Sequence, residues 1–333
     1  MEFPDGKRYL AFSSCYRHLF GERLQKLVID AGFSCPNRDG SVGTGGCTYC
    51  DNAAFHPNYS TPGKSILEQL EEGIEFHRRR YPRVKHYLAY FQAYSNTYGS
   101  LERLRQVYEE ALSHPAVVGI VIGTRPDCID AEKLDYLAAL SQGDVLKEWR
   151  HGLTLAETGE ALTAPLVSIE YGIESCYDAT LRRINRGHDF SCARRAVKET
   201  SSRGLEVGAH FILGLPGESR KMMLDECSAI SELPLASVKF HQLQLIKGTR
   251  MEQEYAAFPS DFETFSLNEY IDFMVSMLER LRPDLYIERI AGEVPPRFVS
   301  KTPWGLIRNP DLLHLLDLRL EQLGTYQGRR YSG

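Results

Sequence analysis

The chain has 333 residues and a formal net charge of −5, with 43% hydrophobic and 25% charged residues. This is the make-up of an ordinary globular protein long enough to bury a large core, and it argues against one that grips nucleic acid by bulk positive charge. No apolar run approaches the ~20 residues a membrane helix needs, and the first residues lack the basic-then-apolar order of a signal peptide, so the expectation is a cytoplasmic protein with no membrane contact. Eight cysteines are too sparse for a disulfide scaffold, and in a reducing compartment clustered cysteines point to metal or catalysis.

In chain order, residues 24–30 read as a strand that leads into a turn-rich, cysteine-bearing segment. Residues 65–79 read as a helix with Ile66, Leu67, Leu70 and Ile74 on its apolar side. Residues 85–92 are a strand, 101–112 a helix, 117–122 a fully apolar strand and 131–140 a helix. Residues 143–164 break this rhythm; they are polar and glycine-containing, a long loop or an inserted hairpin. The alternation then resumes, with strands at 166–173, 207–213 and 237–246. The intervening helices fall at 177–184, 192–203 and 222–233, followed by one at 267–281. Strands separated by helices favour parallel pairing, and near-continuous apolar strands suit a sheet buried on both faces. The expected fold is α/β, a partial (β/α)6 TIM-like barrel over residues 8–290. Residues 291–333, with a helix at 312–323, are expected to pack on it as a small C-terminal helical appendage. In such folds the site forms at the strands' C-terminal ends. Polar residues do follow the strands, at Cys35, Gln92, Thr124-Arg125, Glu174 and Gly214–Glu218.

The segment after the first strand carries Cys35, Cys47 and Cys50 in the spacing C-x11-C-x2-C. Three thiolates suit an iron–sulfur cluster with one iron left open to chemistry, whereas a closed zinc site wants a fourth ligand. His56 is the nearest candidate for that ligand, and a zinc-stabilised, non-enzymatic binding protein is the reading it would support. The other five cysteines are scattered singly and read as small buried hydrophobes. Residues 77–86, rich in Arg and His around Tyr81, form the main basic cluster. They are either a solvated helix end or an RNA contact. Arg182, Arg183, Arg186 and His188 form a second basic group.

The cysteine loop, from Asp30-Ala31-Gly32-Phe33-Ser34-Cys35-Pro36-Asn37-Arg38-Asp39-Gly40 to Gly45-Gly46-Cys47-Thr48-Tyr49-Cys50, resembles the radical S-adenosylmethionine (SAM) superfamily. Within it, the wide first gap resembles the YhcC/YtqA-type branch, which is similar to the radical SAM domain of the Elongator catalytic subunit. The resemblance continues in Glu170-Tyr171-Gly172-Ile173-Glu174-Ser175, Ile184-Asn185-Arg186-Gly187-His188 and Gly214-Leu215-Pro216-Gly217-Glu218. It implies a [4Fe–4S] cluster on Cys35, Cys47 and Cys50, with SAM on the fourth iron. Cleavage of SAM would release a 5′-deoxyadenosyl radical that takes a hydrogen atom from substrate. It also implies that Tyr49 packs near the adenine, where the alternative is a core tyrosine supporting the loop, that Gln92, with Ser95-Asn96 beyond it, serves the SAM amino group, where the alternative is a strand-end cap, and that Glu174 and Arg186 contact SAM. The family usually has Gln where this chain has Glu174, and an ionised acid accepts but does not donate. Glu170 reads either as a ribose ligand or as a buried carboxylate paired with a cation. His210 reads either as a ligand-facing residue or as a core histidine. For substrate, the resemblance implies tRNA, with conversion of wobble 5-carboxymethylaminomethyl-uridine to 5-aminomethyl-uridine. A small molecule or peptide is the alternative. An electron donor such as flavodoxin or ferredoxin is the further implied partner.

Overall fold

A computed structural model describes residues 2–52, 56–146, 149, 151–301, 304 and 307–333. Seven parallel strands lie side by side in chain order: β1 (Gln25–Ile29), β2 (Tyr87–Phe91), β3 (Val117–Thr124), β4 (Leu166–Glu174), β5 (Glu206–Leu213), β6 (Ser237–Gln242) and β7 (Tyr286–Arg289). The sheet curls into a half-barrel. The helices are α1 (Phe12–Phe20), α2 (Ile66–Arg78), α3 (Leu101–Leu112), α4 (Ala131–Ser141), α5 (Asp178–Arg183), α6 (Phe190–Ser201), α7 (Arg220–Glu232), α8 (Arg250–Ala257), α9 (Leu267–Arg280) and α10 (Asn309–Gln322). Several start on a side-chain cap: Asp130 and Ser219 bond the backbone three residues on, and Ser65 with Glu68 and Ser266 with Glu269 form reciprocal capping boxes. None of the described helices is long and apolar enough to cross a membrane.

The expected strand–helix alternation is present, and the sheet goes one strand further. β7 is only four residues long, too short to show a period in the sequence. The strand expected over 237–246 ends at Gln242, and α1 and α8 were not anticipated. Residues 143–164 contribute one antiparallel bridge, Thr154 to Ala161, and residues 147, 148 and 150 of this stretch lie outside the described ones. From it, Trp149 and Leu153 pack with Tyr16, Leu88 and Val118 at the strands' N-terminal end, which stoppers the base of the barrel.

Alternate strand residues separate two environments. Leu27, Ile29, Ala89, Phe91, Ile120 and Ile122 face the helices in one continuous core, and Leu312, Leu316 and Leu320 of α10 join that core beside α9. The concave face is different. There Lys26 of β1 bonds Glu170 Oε1 of β4 at 2.8 Å and Glu288 Oε1 of β7 at 2.6 Å, while Lys239 of β6 meets Glu170 Oε2 at 2.6 Å and Glu288 Oε1 at 3.0 Å. His210 Nε2 lies 2.9 Å from Glu170 Oε2. Glu170 and Lys239 are each 2% exposed, so the cluster is a buried, charge-matched one.

On the helical side, Glu226 and Glu218 of the 214–218 turn region form a second buried carboxyl group pair around Ser175. Burial first, and the neighbouring Glu218 second, push the Glu226 carboxyl up to about 8. A carboxyl whose folded pKa exceeds its unfolded one contributes stability below the unfolded value and loses it as pH rises through the folded value. Urea stability is therefore expected to fall between roughly pH 4.5 and 8. Glu226→Gln, which keeps the acceptor for the Cys176 N–H, should flatten that slope; an unchanged slope would show that Glu226 is not its source.

Candidate active site

The long gap between Cys35 and Cys47 folds back on itself. The amides of Arg38 and Asp39 return to the Cys35 carbonyl, those of Val42 and Gly43 to Pro36, and Gly46 N bonds Asn37 O at 2.9 Å, which joins the two ends of the gap. Asn37 is fully buried and holds this turn: its amide donates to the Asn185 carbonyl and lies 3.7 Å from Cys47 Sγ. Asn185 in turn donates to Gly46 O at 2.8 Å, Thr48 N bonds Ile184 O at 2.9 Å, and Arg250 reaches Gly46 O at 2.6 Å. The loop is thus clamped between the turn after α5 and the start of α8.

A cavity of about 250 Å³ opens at the C-terminal ends of the strands, and all three of these cysteines line it. So do Tyr49, Gln92, Glu170, Glu174, Arg186 and His210. Arg186 is buried, with Nη1 3.5 Å from Cys47 Sγ, Nη2 on the Gly172 carbonyl and Glu174 at 3.6 Å. Gly172 permits that approach, since a Cβ there would stand 2.7 Å from Arg186 Nη2. Glu174 sits at a bulge in β4 with φ +74°, which turns its carboxylate back toward Arg186. Tyr49 packs against the cluster that holds Ile212 and Leu215, next to the 214–218 turn. Burial, then the neighbouring Cys47, hold its hydroxyl well above its usual range and so uncharged. Glu170 lines the cavity with both oxygens already engaged by lysines, and His210 leans on the same carboxylate.

Other expected features fall elsewhere. His56 lies 3.7 Å from Asp30, and among the described residues it does not line the cavity. The basic cluster at 77–86 ends α2 and enters β2, which puts it at the strands' N-terminal end, the opposite end from the cavity. Arg183 is bound to Glu254 and Asp261, and His188 is kept neutral by burial first and Arg186 second. Of the second basic group only Arg182 is exposed, so it presents little free charge. The structure adds cavity residues that the sequence patterns did not single out: Asn52, His241, Gln242, Gln244, Arg289 and Glu293. Those at 241–244 were hidden inside or just past a strand, and Arg289 ends a strand too short to recognise.

The residues fit a cluster with a polar, zwitterionic ligand beside it. Burial first, and Cys47 second, raise the Cys50 thiol, so its thiolate calls for a cation beside it. Asn37 and Arg186 supply donors to the sulfur of Cys47. Among the described residues no three His, Cys, Asp or Glu side chains close on a single-ion point. Five buried polar atoms with no partner belong to cavity-lining residues: Asn52 Nδ2, Ser95 Oγ, Arg125 Nη1, Arg186 Nε and His241 Nε2. Orphaned groups of this kind call for a ligand.

The model of the radical SAM superfamily matches residues 40–228, and that of the radical SAM C-terminal domain matches residues 235–320. The chain is 33% identical to the uncharacterized protein YtqA of Bacillus subtilis, over 98% of this chain and 94% of that one. It is 35% identical to the protein YhcC of Escherichia coli, over 82% and 80%. Elongator complex protein 3 of Saccharomyces cerevisiae is 24% identical over 62% of this chain but only 32% of its own length. In fold, the archaeal Elp3 of Methanocaldococcus infernus superposes with a TM-score of 0.62 at 16% identity, over 91% of this chain and 64% of that one.

Gly43 gives a direct test of the loop clamp, because a Cβ there would fall 2.3 Å from Asn37 Oδ1. Gly43→Ala and Asn37→Ala are both expected to lower the iron bound per chain after anaerobic reconstitution several-fold, with far-ultraviolet circular dichroism unchanged. Full iron loading in both variants would show that the asparagine does not position the thiols.

Proposed function

This chain belongs to the radical SAM superfamily and is a radical SAM enzyme; on that premise we propose that Cys35, Cys47 and Cys50 hold its [4Fe–4S] cluster and that its substrate is a wobble uridine of tRNA. The observation that carries the first half is the convergence of the three thiols, Arg186 and the orphaned polar atoms on one cavity at the strands' C-terminal ends. When bound, the cluster and SAM supply a primary carbon radical that removes a hydrogen atom from substrate. The chain's own residues do the rest. Arg186 and Asn37 offset the negative charge of Cys47. Arg125, held on Asp127 by two bonds of 2.8 and 2.7 Å, keeps one free nitrogen for the SAM carboxylate. Tyr49 gives the adenine a flat, uncharged neighbour, and the stoppered base of the barrel keeps water from entering behind the site.

The tRNA reading rests on the likeness of the cysteine loop and the later blocks to the YhcC/YtqA-type branch. It is supported by the cavity mouth, where Tyr94 is 38% exposed and Arg38 stands 5.5 Å from its ring centre. An exposed aromatic with a stacked guanidinium suits an unpaired base drawn out of an anticodon loop. The reaction is loss of the carboxymethyl group from 5-carboxymethylaminomethyl-uridine to leave the 5-aminomethyl form. It would begin with hydrogen abstraction from the carbon between amine and carboxylate; that carbon would then give up one further electron, returned to the cluster, and the N–H its proton, leaving an imine that water would hydrolyse to the 5-aminomethyl form and glyoxylate. A reductant such as flavodoxin or ferredoxin would supply the electron.

Two measurements test this. Anaerobically reconstituted protein with SAM and a strong reductant is expected to form 5′-deoxyadenosine, and Cys47→Ala to form none. An iron-loaded protein that stays inactive even with tRNA present would refute the enzyme's assigned centre. In a strain lacking the gene, tRNA should keep the carboxymethylaminomethyl nucleoside and lose the aminomethyl one. An unchanged nucleoside profile would refute the tRNA reading alone.

A further inference from the structure

Four arginines line the cavity, and three of them are already occupied. Arg38 donates to the Cys50 carbonyl at 3.0 Å, Arg125 forks onto Asp127, and Arg186 serves Cys47, Gly172 and Glu174. Arg289 differs. It is the last residue of β7 and half-buried, and among the described residues its guanidinium has no hydrogen bond and no ion pair. A half-buried guanidinium without a protein partner is free to take a counter-charge that arrives with a ligand. The guanidinium is also the cation whose planar fork matches a carboxylate.

The surroundings of Arg289 favour an anion over any other occupant. The deeper cations, Lys26 and Lys239, are matched by Glu170 and Glu288 and do not compete for it. On the neighbouring strand, His241 has a buried Nε2 with no partner. Burial first, and the charge of Arg289 second, keep that imidazole neutral, so it offers one N–H rather than a second charge. The backbone beside it is rigid: Gly292 exchanges two bonds with the Gln242 side chain, at 2.8 and 3.0 Å, and a Cβ on Gly292 would lie 3.1 Å from His241 Nδ1. Arg289 also stands apart from the assigned cofactor residues. Those come from the connections after β1 to β4, while this wall is built by β6, β7 and the residues that follow.

We propose that Arg289, with His241 beside it, is the subsite that binds the carboxylate of the substrate. This rests on the wobble-uridine reading above, and it sharpens it. The 5-carboxymethylaminomethyl arm ends in a carboxylate and the 5-aminomethyl product has none, so the same guanidinium holds the substrate and releases the product. Glu293, which lines the same wall and accepts the Asn309 N–H, gives the arm's ammonium a carboxylate to face.

The test uses the cluster-reconstituted protein with SAM and two anticodon-stem hairpins. One carries 5-carboxymethylaminomethyl-uridine at the wobble position and the other 5-aminomethyl-uridine. The unsubstituted protein is expected to bind the first about tenfold to a hundredfold more tightly, as a charge-assisted contact should give. Arg289→Gln should bind both hairpins equally, with its affinity for SAM unchanged, and Arg289→Lys should restore part of the preference. A preference that survives Arg289→Gln overturns the subsite. So does a parallel loss of SAM affinity, which would assign the guanidinium to the carboxylate of SAM. Equal binding of both hairpins by the unsubstituted protein overturns the subsite and leaves the tRNA reading standing. Binding of neither overturns both.

Discussion

Glu170 is the carboxylate on which four strands have to agree. It takes Lys26 from β1 on one oxygen and Lys239 from β6 on the other, and both lysines also reach Glu288 on β7. A buried ion cluster of this kind adds little net stability over a well-packed apolar core, because desolvation offsets the attraction. Its effect is geometric. All the contacts can be made only if the first and last strands curl toward each other, so the cluster sets the curvature that turns a flat parallel sheet into a half-barrel. With that curvature, the loop after β1 and the residues after β7 face one cavity.

The thiols depend on a second constraint. An eleven-residue excursion between Cys35 and Cys47 would by itself leave the two far apart. Asn37 and Asn185 close it, each using its side chain on the other segment's backbone, and Arg186 lays a guanidinium against Cys47 Sγ. The block Ile184-Asn185-Arg186-Gly187 therefore acts on the cysteine loop as much as on any ligand. Fixed donors around a thiolate sulfur are also the features that tune the electronics of a bound cluster.

The cavity divides into two chemistries. The side after β1 to β4 carries the sulfurs, a buried guanidinium and orphaned polar atoms, which suit a charged cofactor. The side of β6 and β7 carries an unmatched arginine, a neutral histidine and glutamine side chains locked to Gly292. Between them lies a carboxylate already satisfied by lysines. A carboxylate that the sequence leaves between a ribose ligand and an ion-paired residue has both oxygens on lysines, and among the described residues an arginine that drew no notice is left unpaired.

The sequence by itself determined the α/β alternation, the parallel sheet and the three cysteines with the blocks that follow them. These are local signals: short apolar runs for strands, period-3.6 helices and short-range spacing, each set by neighbours along the chain. It also placed Gln92 and Glu174 at the ends of strands, Tyr49 and Arg186 in the connections that follow them and His210 inside a strand, and all five line the cavity. It did not reveal β7, because four residues hold too little periodicity, nor which charges would cancel. Whether Glu170 is free, whether the basic stretch at 77–86 faces the site, and whether Arg289 has a partner all depend on residues distant in the chain. Only the closing of the sheet brings those residues into contact, so only the tertiary structure could decide them.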